Sequence, residues 1–83
     1  MSKDKDINVV IETGQGVFEG VFEVTTKIRE VIAAVVKELG LASGDVFELH
    51  LNGDPLEPTD RPLVSFGLED GATLMLVATG TGV

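Results

Sequence analysis

The chain has 83 residues, room for one domain, and a chain this short buries only about 60% of the surface its unfolded form exposes. Six Lys and Arg against fourteen Asp and Glu give a net charge of −8, which repels nucleic acid and anionic membranes and suits solubility or a basic partner. With no cysteine, tryptophan or tyrosine, the chain lacks a disulfide framework, a thiolate nucleophile, a cysteine metal site and the aromatic platforms on which bases stack.

Hydrophobic residues make up 43% of the sequence, yet no apolar run approaches the roughly 18 residues of a membrane span. No apolar segment of signal-peptide type follows the start, so a cytoplasmic, monomeric protein is expected. Residues 1–6, with Lys3, Asp4, Lys5 and Asp6, are charged and aperiodic and are expected to form a solvated tail. From Ile7 the period changes. Ile7, Val9 and Ile11 alternate with Asn8, Val10 and Glu12, the pattern of a strand with one buried face.

Thr13-Gly14-Gln15-Gly16 supplies a turn, and a second strand is expected over Val17 to Val24. Phe18 and Phe22 are expected to share its inner face, with another pairing of Val17, Val21 and Phe22 left open by the pattern. Gly20 between them marks a bulge or a close approach by another element. Thr25 or Thr26 is expected to cap a helix that starts near Lys27 with Glu30 in its first turns. Ile28, Val31, Ile32, Val35 and Leu39 form one apolar stripe, and Gly40 ends the helix.

Val46 to Leu51 alternates again, with Phe47, Leu49 and Leu51 on one face and Glu48 and His50 on the other. Asn52-Gly53 is a turn signal, and a short edge strand is expected around Leu56. Pro55, Pro58 and Pro62 keep the next stretch irregular, so Leu63, Phe66 and Leu68 plug the core from a loop or helical turn. The last strand runs from Thr73 to Ala78, with Leu74 and Leu76 inward and Thr73, Met75 and Val77 outward. Residues 79–83 read as a flexible tail, which leaves 7–78 as the folded domain. This order predicts an α+β layer pair: a mixed sheet of four to five strands with one helix across one face.

The same order, with Phe47 to Leu56 in the middle and Leu63-Val64-Ser65-Phe66-Gly67-Leu68-Glu69-Asp70-Gly71-Ala72-Thr73-Leu74-Met75-Leu76-Val77 near the end, resembles the ubiquitin-like β-grasp family. Two functional features are implied by the resemblance. Conjugated members end in two glycines, and the matching positions here hold Gly82 and Val83, preceded by Gly80 and Thr81. The resemblance implies that a modifier of this sequence would be trimmed after Gly82, as some bacterial ubiquitin-like proteins without a terminal diglycine are thought to be by JAB-type metallopeptidases, or would use its Val83 carboxylate directly. Activating and conjugating enzymes are then its partners. The departure from a terminal diglycine also weakens a sulfur-carrier reading.

The second feature is the apolar patch by which ubiquitin is bound. His50, Met75 and Val77 occupy the matching positions, simple alternation places the same three outward, and Val10 extends the patch. A non-conjugated binding module docking through these residues is the alternative to a modifier.

Chemistry of the chain's own is not expected. His50 is the one histidine, with no Ser, Cys or carboxylate pair set beside it by the pattern, and one imidazole makes no metal site. Gly14-Gln15-Gly16 lacks the Gly-Lys-Ser/Thr of a phosphate loop and leads into a strand. No cofactor or metal is implied.

Overall fold

The computed structural model describes residues 6–41 and 45–81, without the side chains of residues 45 and 81. These residues form five strands, one α-helix and one short 3₁₀ helix. The strands are β1 (Asp6–Thr13), β2 (Gly16–Glu23), β3 (Asp45–Leu51), β4 (Asp54–Pro55) and β5 (Ala72–Thr81), and the helix α1 is Ile28–Leu39. They make one mixed sheet in the order β2-β1-β5-β3-β4, in which β1 and β5 run parallel and every other pair is antiparallel.

The alternation expected of β1 holds: Ile7, Val9 and Ile11 are buried on one face. Across this face lies α1, whose Ile28, Val31 and Val35 are also buried, with Ile32 and Leu39 packed at the margin. Leu49 of β3, Leu74 and Leu76 of β5, Leu56 and Leu63 complete the core. All are aliphatic, and the described residues contain no buried polar or charged side chain. Stability therefore comes from shape and apolar area, at about 25 cal/mol per Å² removed from water.

Gly20 lies in an unbroken β1–β2 register opposite Val9, so there is no bulge. Its missing side chain makes room for an aromatic ring. A methyl built there would lie 2.8 Å from Phe18 Cε1, and Phe18 and Phe22 face each other with centroids 6.1 Å apart.

Neither threonine before α1 caps it. Glu30 Oε1 instead accepts from the Lys27 N–H at 3.1 Å, and the Ile28 and Arg29 N–H groups donate to the carbonyls of Arg61 and Thr59. These loop carbonyls meet amides that have no partner within the helix. Gly40 closes the other end in the left-handed conformation, φ 66°, as its position predicted.

The short edge strand falls at Asp54–Pro55, directly before Leu56. Leu56 is buried, and its N–H donates to the Leu49 carbonyl at 2.8 Å. Leu63–Phe66 forms the 3₁₀ helix that carries Leu63 into the core.

Strand ends elsewhere shift by one residue, and both expected limits of the folded domain move. Asp6 joins β1, and β5 continues beyond Ala78 through Thr79 and Gly80 to Thr81. Thr81 pairs with Asp45, Gly80 with Val46 and Ala78 with Phe47, which leaves Thr79 as an extra residue at a bulge. The Thr79 hydroxyl donates to the Val46 carbonyl at 3.2 Å. The expected free tail over 79–81 is thus strand. Residues 1–5 of the expected N-terminal tail, and Gly82 and Val83, lie outside the described residues.

Candidate functional site

With α1 on one face of the sheet, the even-numbered residues of β1 and the odd-numbered residues of β5 stand on the other. Val10, Met75, Val77 and His50 all occupy this open face, as alternation required. The register makes them neighbours. Met75 is the direct partner of His50 on β3, Thr73 is the direct partner of Val10 on β1, and Val77 follows two residues after Met75. Met75 is 50% exposed, and Val10, His50 and Val77 are half-buried. A flexible thioether at the centre of a flat surface adapts to a partner's shape.

Each apolar member has a glutamate directly beside it. Glu19 pairs with Val10, Glu12 with Met75 and Glu48 with Val77. The His50 Nε2–H donates to Glu48 Oε1 at 3.0 Å, a contact within one strand. Among the described residues no three His, Cys, Asp or Glu side chains converge as metal ligands. An open depression beside Met75 is lined by Glu12, His50, Asn52 and Thr73. A roomier hollow at Glu57, Pro58 and Thr59 is a notch in the proline-rich loop, away from this apolar convergence, and only Glu57 in it is titratable.

Three more exposed apolar residues share the open face: Val17 and Val21 on β2, and Val46 at the start of β3. Sequence reading did not include them. The signal for Val17 and Val21 was their shared parity, which becomes usable once the β1–β2 register is known. Of the tail residues, Gly80 is exposed with nothing within 4 Å of a Cβ built there, and the backbone of Thr81 is paired. The site residues Gly82 and Val83 lie outside the described residues. No helix among the described residues is long and apolar enough to cross a membrane.

No protein-family model matches the sequence, and no curated protein matches it significantly. Solved structures do match the fold. One, from work on molecular mimicry of SUMO in DNA repair, superposes with a TM-score of 0.80 at 19% identity over 92% of this chain and 95% of its own. The ubiquitin-like domain of an Arabidopsis thaliana protein gives 0.79 at 13% identity, over 95% of this chain and 83% of that one. A protein designed on the basis of ubiquitin gives 0.79 at 20% identity, over 93% of each chain. At these identities the likeness is one of fold. The sheet order, the single helix across one face and these superpositions together establish that the chain has the ubiquitin-like β-grasp fold.

Proposed function

We propose that this domain is a protein-docking module, a cytoplasmic monomer bound by other proteins through the open sheet face at Val10, His50, Met75 and Val77. One observation carries the reading: side chains from three different strands converge there, with Met75 half exposed at the centre. Isolated exposed apolar residues are ordinary, whereas a contiguous group on a flat face is a feature of binding surfaces. In this reading the domain contributes a surface to its partners and no chemistry of its own.

The test is quantitative comparison of the partners retained by the native protein, by Met75→Asp and by a form lacking residues 82–83. Partners kept by the truncated form and lost by Met75→Asp support docking. An unchanged partner set on Met75→Asp removes the reading. An exposed strand position changes stability by only about 0.5 kcal/mol, so loss of binding will not reflect unfolding.

The second reading is a protein modifier, whose terminal carboxylate is adenylated by an activating enzyme and passed to an amine or thiol. It is favoured by the slender run Gly80-Thr81-Gly82-Val83, in which Gly80 meets no neighbouring atom at its Cβ position. Entry into a narrow enzyme groove would require residues 79–81 to leave their pairing with β3. A JAB-type peptidase would be needed if Gly82 is the reacting terminus. Mass spectrometry of the protein from its own cells decides this: a species ending at Gly82, or joined through its terminus to another protein, supports the modifier. Intact, unattached Val83 in every molecule excludes it.

A further inference from the structure

The basic side chains of the described residues all lie off the open face, whereas acids occur on both sides of the sheet, Glu30 and Glu38 on α1 among them. Lys27, Arg29 and Lys37 lie at or on α1, and Arg61 is in the loop whose carbonyl caps that helix. Asp6, Glu12, Glu19, Glu23 and Glu48 stand on the open face, and no Lys or Arg among the described residues joins them. Among those residues Glu48 meets only His50, and neither Glu12 nor Glu19 has a cationic partner. Carboxylates gathered on one face repel one another and are relieved by a cationic partner.

Their placement is more informative than their number. The apolar residues run diagonally from Val10 across to Met75 and Val77. Glu19 and Glu12 border this stripe on the β2 and β1 side, and Glu48 borders it on the β3 side. We propose that the open face docks an amphipathic helix of a partner protein whose apolar stripe is bordered on both sides by lysine or arginine. This rests on the docking reading above and names the partner's chemistry.

A helix fits better than a strand for a hydrogen-bonding reason. On the face of a sheet, the N–H and C=O groups of β1, β5 and β3 are already paired with neighbouring strands. A partner is met only by side chains, which suits an element whose own backbone bonds are satisfied internally. Thr73 lies opposite Val10, so the stripe from that row to Val77 spans four steps along β5, about 13 Å at 3.3 Å per residue. About nine helical residues cover the same length at 1.5 Å each, placing three apolar side chains at i, i+4 and i+7. Nucleic acid and anionic membranes, being negative, are repelled by this face.

Three synthetic peptides of roughly 14 residues test the inference by amide chemical-shift titration of the isotope-labelled protein. The first carries three leucines at the stated spacing with flanking lysines, the second replaces those lysines with glutamine, and the third scrambles the first so that the stripe is lost. The lysine-flanked peptide is expected to shift Val10, Glu12, Met75 and Val77. Its binding is expected to be about tenfold tighter than that of either other peptide and to weaken as salt is added. Combined Glu12→Gln, Glu19→Gln and Glu48→Gln substitution is expected to remove about that tenfold and most of the salt dependence.

Equal binding of the glutamine-flanked peptide at the same residues overturns the basic partner and leaves the docking face standing. Equal binding of the scrambled peptide, or no change in the triple variant, also overturns it. Failure of all three peptides to perturb the face overturns the inference, and the docking reading is then decided separately by the Met75→Asp comparison.

Discussion

On β3, Leu49 is fully buried beneath α1, while Glu48 and His50 on either side of it face outward and hydrogen-bond to each other. On β5 the same contrast recurs: Leu74 and Leu76 are 1% and 6% exposed, and Met75 between them is 50% exposed. Successive side chains of a strand point to opposite faces, so one sequence writes two surfaces at once. The covered face holds the apolar area that stabilises the fold, and the open face holds an acidic, apolar surface that stability does not require. Substitutions on the two faces should therefore separate folding from binding.

The largest effect expected is at Leu49. Its truncation to alanine removes buried methyl groups and leaves a cavity in a core that is fully enclosed there, at a cost of about 2–5 kcal/mol. For a domain of this size that is a large share of a total of about 5–15 kcal/mol, and it should lower the melting temperature by more than about 10 °C. The adjacent His50→Ala, which removes a partly exposed hydrogen bond, should cost less than about 1 kcal/mol. Thermal or denaturant unfolding measures both. Comparable losses at the two positions would abolish the distinction between the faces.

A smaller effect tests the margin of the covered face, where β2 depends on glycine. Gly20→Ala places a methyl 2.8 Å from Phe18 Cε1 and 2.9 Å from Cζ, so the ring must swing away from Phe22. Overpacking costs about 1–3 kcal/mol, and replacing a strand glycine by alanine returns about 0.5–1 kcal/mol. A net loss of about 1 kcal/mol is expected, with displaced aromatic resonances for both phenylalanines. Unchanged stability and unchanged resonances would show that Gly20 is not there to make room for the ring.

Much of this contrast was legible in the sequence because it depends on local periods. Ile7, Val9 and Ile11, the stripe from Ile28 to Leu39, and Leu74 with Leu76 fall where alternation or helical spacing puts them. The same parity placed Val10, His50, Met75 and Val77 on one face. What local patterns do not contain is the order of strands across the sheet. That Glu12 stands beside Met75, Glu19 beside Val10 and Glu48 beside Val77 depends on pairings between distant segments. The same limit explains the missed end of β5. Thr79-Gly80-Thr81 has little to mark it as strand by itself and is held by pairing with Asp45 and Val46 through a bulge. The cap of the helix, not its start near Lys27, was misassigned for a related reason, because its first amides are met by carbonyls of Thr59 and Arg61, some thirty residues further along the chain.

The smallest effect lies at the edge between the two surfaces, where Asn8, on the open side of β1, meets the turn that leads into β5. Asp70 Oδ1 accepts from the Asn8 backbone N–H at 2.7 Å and from its side-chain Nδ2–H at 3.0 Å, and the Gly71 N–H donates to the Asn8 carbonyl. The backbone bond first, and the side-chain bond second, hold the Asp70 carboxyl below its ordinary value of 3.8. The unfolded chain therefore binds a proton at this group more readily than the folded one, and the contribution to stability rises with pH. It is fully present above the ordinary carboxylate value and is lost as pH falls through the lower, folded value. Asp70→Ala should accordingly be less stable than the native protein at about pH 7, with the gap narrowing toward about pH 2. Because the carboxylate is fully exposed, solvent screening keeps the effect small, and only the difference between the two melting curves at each pH isolates it from the other acids. A gap that stays constant over that range would mean that the contact between Asp70 and Asn8 acts by geometry alone, with no contribution from the carboxylate charge.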